Sequence, residues 1–231
     1  CDTSEDFLLT LDRFVVAVRD AGIRKVAIDL RRNPGGDASA PLAVMRAFDA
    51  HPALGFGVEI RVSQTLLETM PMFAPAAIAP AFESVGAPPP ATDAERYQVP
   101  APLVLGMVQS RLGERPFETA SGRALYLLTG GATFSSAALF AVLVRDNSLG
   151  QLVGEPIGNS ASFNGSELIL PVPGMPHELH LSSAHLTRPD LLAGGSPTVL
   201  PDVLAPSTPR LIVQQGDPAL DFVRHTPVPA P

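Results

Sequence analysis

The chain of 231 residues is poor in the side chains that many chemistries require. It has one cysteine, Cys1, so no disulfide can form within the chain and thiolate metal chemistry is excluded. It has one lysine, Lys25, so any mechanism that needs a lysine has a single candidate. No histidine precedes His51, and the five histidines match no zinc-ligand spacing. Neither a metal nor a cofactor is expected. Basic residues number 16 against 23 acidic ones, a net charge of −7 that argues against a nucleic-acid partner. Apolar stretches such as Ala137–Val144 fall far short of the ~20 residues a membrane span needs. Cys1 reads as a processing boundary in preference to a lipid-bearing residue.

What is present is a hydrophobic share of 45%, enough for a globular core. Phe7, Leu8, Leu11, Phe14, Val15 and Val18 recur at helical spacing, with Thr3 and Ser4 as capping residues and Gly22 as the stop. Val26–Leu30 is a short apolar run of the doubly buried kind, followed by the turn Arg31–Gly36. Pro41–Ala50 reads as a helix, and Val58, Ile60 and Val62 alternate as in a strand. Residues 64–120 hold Pro71, Pro75, Pro80 and Pro88–Pro90 and read as a Pro-rich insertion, either a lid or substrate-binding loop or a loosely ordered excursion. Ala124–Leu128 is a strand, Thr129–Phe134 a glycine turn and Ser135–Arg145 a helix. Gln151–Val153, Glu167–Pro171 and Glu178–Leu181 are further strands, and residues 204–231 read as an extended tail. Buried strand, glycine turn and helix occur twice in that order, the pattern of an α/β domain, and the whole of 1–231 is expected to form one.

Ser135 falls at the first turn of a helix, where free amides and the helix dipole stabilise negative charge. The G-x-S-x-G pattern of a nucleophile elbow is absent, and an ordinary N-cap serine is the plain alternative. Ser136 is a weaker candidate for the same role. Gly35 and Gly36 leave backbone amides uncovered, and one of them together with the Ser136 amide would make an oxyanion hole.

The run Ile28-Asp29-Leu30-Arg31-Arg32-Asn33-Pro34-Gly35-Gly36 resembles the D-L-R-x-N-x-G-G segment of the C-terminal processing peptidases, the tail-specific serine peptidases that include the tricorn core. Thr133–Ala141 is similar to their nucleophile segment, and Gly154-Glu155-Pro156 to the G-E-P that follows it. Leu181–Ala184, Leu200–Val203 and Gly216–Leu220 resemble later landmarks. The resemblance implies a ClpP/crotonase-like core of repeated β-β-α units and peptide hydrolysis through an acyl-enzyme on Ser135, with peptide or protein as substrate. It implies an extracytoplasmic location.

Two departures matter. Peptidases of the Ser–Lys branch carry the lysine a few residues after G-E-P, where this chain has Ile157-Gly158-Asn159-Ser160. The tricorn-like branch takes its histidine from a segment in front of the first glycine turn, which here would have to be a preceding segment of the same precursor. Within the chain, His185 is the candidate base and Asp190 the candidate orienting acid, while Asn159 would contact substrate or hold its loop. His177, His180, Glu167 and Asn164 are weaker alternatives. A peptidase core without a working base, binding an apolar ligand or a peptide, is the second reading. A crotonase-like acyl-CoA enzyme is the third, and Thr133–Ser136 argues against it.

Overall fold

A computed structural model describes residues 4–110, 112, 118–190 and 197–228. Cys1 and the capping role assigned to Thr3 therefore lie outside the described residues. In chain order the first elements are α1 (Glu5–Asp20), β1 (Lys25–Asp29), α2 (Ser39–Ala47) and β2 (Gly57–Arg61). Then come α3 (Gln64–Thr69), α4 (Pro75–Ser84), β3 (Arg96–Val99) and α5 (Ala101–Ser110). They are followed by β4 (Ala124–Thr129), α6 (Ser136–Asp146), β5 (Gln151–Gly154), β6 (Phe163–Pro171) and β7 (Glu178–Thr187). The last are β8 (Val203–Leu204), α7 (Pro209–Val213) and α8 (Pro218–His225). Among the described residues no helix is long and apolar enough to cross a membrane.

The chain divides into two compact units where the sequence suggests one. The first comprises Cys1–Leu54, Val108–Ala161 and Asp190–Pro231. Its sheet is parallel throughout, in the order β1-β4-β5-β8. Leu125, Tyr126, Leu127, Leu128, Leu152 and Val153 are all buried. Their near-continuous apolar runs are what a parallel strand covered on both faces requires. This is the α/β architecture expected.

The second unit comprises Gly55–Met107 and Ser162–Pro189. Its sheet is antiparallel, β3-β2-β7-β6. Ile60, Tyr97, Val99, Leu168 and Ala184 from the strands join Leu66, Ile78 and Phe82 from α3 and α4 in one core. Much of the Pro-rich stretch is therefore ordered helix, and its prolines explain how. Ser63 caps α3 by accepting from the Leu66 amide, and Pro75 opens α4, where a missing N–H costs nothing. Pro80 lies in the interior of α4.

The tail also departs from expectation. Asp217 accepts from the Leu220 amide and Pro218 begins α8, whose Ala219 and Val223 pack on Tyr126, Leu128 and Val153. An acidic cap, a first-turn proline and two apolar residues four apart specify a helix, and the proline content of the surrounding tail hides them.

Candidate active site

The two glycine turns of the first unit lie side by side at the carboxyl ends of β1 and β4. Thr133, with no exposed surface, stitches them: its hydroxyl donates to the Leu30 carbonyl at 2.8 Å and accepts from the Gly130 amide at 3.0 Å. The Phe134 amide donates to the Asn33 carbonyl at 3.1 Å. Gly35, with φ +108°, then passes so close that a Cβ on it would stand 2.5 Å from Ser135 Cβ and 2.9 Å from the Phe134 carbonyl oxygen. Glycine is needed here both for the dihedral and for the space.

Ser135 is the N-cap of α6, yet its side chain makes no capping hydrogen bond. Its backbone is at φ 50°, ψ −122°, in the region that an L-residue enters only under constraint. The ordinary N-cap alternative therefore fails: the residue is partly exposed and strained, and its hydroxyl does not serve the helix. Part of the constraint is Asn159, whose Oδ1 accepts from the Ser135 amide at 3.2 Å. Asn159 is only 4% exposed, which fits holding the loop and not touching substrate. Its own loop is fixed by the Thr198 hydroxyl, within 2.8 Å of the Ile157 carbonyl and 2.9 Å of the Asn159 carbonyl. The Gly158 amide adds a bond to the Thr133 carbonyl.

The amides divide clearly. Gly35 N–H donates to Asn33 Oδ1 at 3.0 Å and so is engaged. Among the described residues no hydrogen bond takes the amides of Gly36 or Ser136. Ser136 N lies 3.0 Å from the place a Gly35 Cβ would occupy, so it fronts the glycine loop. A helix-start amide next to Ser135 and a glycine amide in the neighbouring loop are thus both without a hydrogen-bond acceptor among the described residues. As a nucleophile Ser136 is unsuited, being 4% exposed with its Oγ buried and unbonded.

Beneath the turns Arg31 is held by two carboxylates. Its guanidinium donates to Asp29 at 2.9 and 2.6 Å and to Asp217 at 2.9 Å twice. The hydrogen bonds from Arg31 keep Asp29 below its ordinary 3.8. Partial burial pushes Asp217 up, but its bonds from Arg31 and from the Leu220 amide prevail and it too lies low. Asp29 thus anchors the turn through Arg31. Asp217 was missed, although an acidic residue before a proline is a helix-start signal.

The remaining candidates divide between the two units. The only lysine, Lys25, donates to the carbonyls of Val223, Arg224 and Thr226 at 2.6, 2.9 and 2.7 Å, closing the end of α8. Asp190 belongs to the first unit, where its amide donates to Asp146 Oδ2 at 3.2 Å. His185 belongs to the second unit, exposed on β7, with Nδ1 2.9 Å from Asn164 Oδ1. Its strand partner on β2 is Glu59. His180 lies 3.1 Å from Glu167.

The model of peptidase family S41 matches residues 5–190. The chain belongs to peptidase family S41. No curated protein matches this S41 chain in sequence. Among solved structures, mature CPAF complexed with lactacystin has 16% identity and a TM-score of 0.60 over 94% of this chain and 45% of that one. Mature CPAF alone gives 16% and 0.57 over 97% and 46%. An S41 protease described as putative, from Bacteroides fragilis NCTC 9343, gives 14% and 0.53 over 97% and 48%. These likenesses show a shared fold, the ClpP/crotonase-like one. The S41 chain spans less than half the length of these structures.

Proposed function

We propose that this chain carries the nucleophile and oxyanion hole of a serine peptidase acting on peptide or protein substrates. Ser135 Oγ attacks the scissile carbonyl, and the amides of Ser136 and Gly36 receive the oxygen as its charge develops. Each such donor is worth roughly 3 kcal/mol of transition-state stabilisation. The observation that carries the reading is the backbone of Ser135, forced to φ 50° at a helix start that its side chain does not cap. Asn159 holds that geometry through the Ser135 amide. For the base, His185 is the candidate within this chain: with Nδ1 donating to Asn164, its Nε2 carries the free lone pair. Asp190 remains the candidate acid, and a preceding segment of a longer precursor is the other source of a base.

A second reading has an observation of its own. Asn159 occupies the stretch where the Ser–Lys branch has its lysine, and Lys25 is committed to closing α8. A core of this kind without a base would bind a peptide or apolar ligand without cutting it. Intact mass after incubation with a fluorophosphonate separates the two. The peptidase reading expects one adduct, absent in Ser135→Ala and slowed in His185→Gln. No adduct on folded chain rejects activation of Ser135 within these residues, and an undiminished rate in His185→Gln rejects that histidine.

A further inference from the structure

A cleft of about 780 Å³ opens in the first unit along the carboxyl edge of its parallel sheet, lined in part by Arg31, Arg32, Gly130, Gly131, Glu155 and Ser207. Crevices outside the carboxyl ends of parallel strands are where α/β sheets take ligands. Ser135 is not among its lining residues, but the cleft is walled by the same two turns. Arg32 is three residues before Gly35, and Gly131 four before Ser135. Three or four residues of chain reach at most ~14 Å, so a peptide lying across Ser135 can place a neighbouring residue in the cleft.

The charges of the lining are unequal in availability. Arg31 has both edges of its guanidinium occupied by Asp29 and Asp217. Thr129 is committed to the Glu155 carbonyl at 2.8 Å. Glu155 accepts from the Ser207 amide at 3.0 Å through one carboxylate oxygen. Arg32 is exposed, and among the described residues no hydrogen bond or ion pair engages it. It follows β1 and Glu155 follows β5, with β4 between them. Two strand spacings put these ends ~10 Å apart, and among the described residues no ion pair joins Arg32 to Glu155. At the β1 end Arg32 acts electrostatically on the Asp29 carboxylate that Arg31 already holds, with its own guanidinium donors unengaged, and at the β5 end stands the Glu155 carboxylate.

We propose that this cleft is a subsite for a single carboxylate of a bound peptide, received by Arg32. The proposal rests on the peptide-binding core described above and names what that core selects. A guanidinium grips a carboxylate through two parallel hydrogen bonds. The Glu155 end repels a second acid, so one acidic group is favoured over a run of them. The carboxylate comes either from an Asp or Glu side chain or from the peptide's own C-terminus.

The test uses the full chain with Ser135→Ala, to prevent turnover, and three acetylated hexapeptides of alanine, leucine and valine. One ends in a free acid, one in an amide, and one in an amide with a single internal glutamate. Calorimetric titration is expected to show at least one acidic peptide binding about tenfold tighter than the neutral amide, the typical scale for hydrogen bonds to charged groups. Which acidic peptide gains identifies the source. Arg32→Gln is expected to abolish the preference and Arg32→Lys to keep part of it, with melting curves confirming that both variants fold. Equal binding of all three, binding of none, or a preference that survives Arg32→Gln overturns the proposal. Fluorophosphonate labelling of Ser135 without any carboxylate preference defeats the subsite alone. A carboxylate preference without labelling defeats the hydrolytic reading alone.

Discussion

A methyl group at Gly35 would collide with Ser135 Cβ and the Phe134 carbonyl and would force alanine to φ +108°. The obstructing atoms are backbone and a Cβ, which cannot swing away. Gly35→Ala is expected to cost roughly 1–3 kcal/mol in strain and to displace Ser135. Urea unfolding together with the fluorophosphonate rate should show both losses, whereas Gly55→Ala, with open space around the added carbon, should change neither. Asn159 supplies a second test at this scale. Asn159→Ala leaves the partly buried Ser135 amide without its acceptor, a loss of about 1 kcal/mol. Labelling should slow in parallel, and Asn159→Asp, which keeps an acceptor oxygen, should recover stability better than alanine does. Equal behaviour of Ala and Asp would show that the hydrogen bond is incidental. The placement of Ser135 at a helix start was legible in the sequence, because a glycine turn followed by an apolar run marks that position. The role of Asn159 was not, since a bond from a side chain to an amide 24 residues earlier leaves no periodic trace.

Strands β1, β4 and β5 of the first unit's sheet were readable for the same reason, while β8 at Val203–Leu204 was not. Val26–Leu30 and Ala124–Leu128 are apolar runs too short for helices, and both are parallel strands. Helix α8 was not readable, because the tail's prolines outweighed one Asp-Pro start. That helix is tied to the site by Arg31, and the tie is pH-dependent. Asp29 and Asp217 both titrate below 3.8 in the folded chain, so the unfolded state takes up protons first as the pH falls. Their stabilisation is fully present above the unfolded value near 3.8 and is lost as the pH drops through the lower folded values. Arg31→Gln removes that differential. At pH 6 the variant should melt below the wild type, and the gap should narrow steadily below pH 4. A constant gap across that range would show that Arg31 acts through packing and not through its carboxylate partners.

At the scale of the whole molecule, the decisive fact is that the Pro-rich stretch has its own buried side chains. Phe82 is 3% exposed and stacks edge-on against Tyr97, with ring centroids 5.9 Å apart. Tyr97 in turn donates its hydroxyl to the Phe73 carbonyl at 2.7 Å. A loosely ordered excursion would give these groups no fixed partners. Composition pointed the wrong way because proline density predicts irregular chain, while Pro71 and Pro75 stand at helix starts that tolerate them. Phe82→Ala should therefore behave as a core truncation, costing about 3–5 kcal/mol. Hydrogen exchange locates the effect: the amides of Ile60, Tyr97 and Ala184, protected in the wild type, should exchange faster in the variant. The distal half of the β6–β7 hairpin provides the internal contrast. Beyond Ala184 towards Glu178, β7 pairs among the described residues with β6 alone, and Leu179 and Leu181 are exposed. A two-stranded ribbon is marginal in water, so its amides should exchange rapidly already in the wild type. Slow exchange there, or fast exchange at Ile60 and Tyr97 before any mutation, would contradict a core built by residues 55–107 and 162–189.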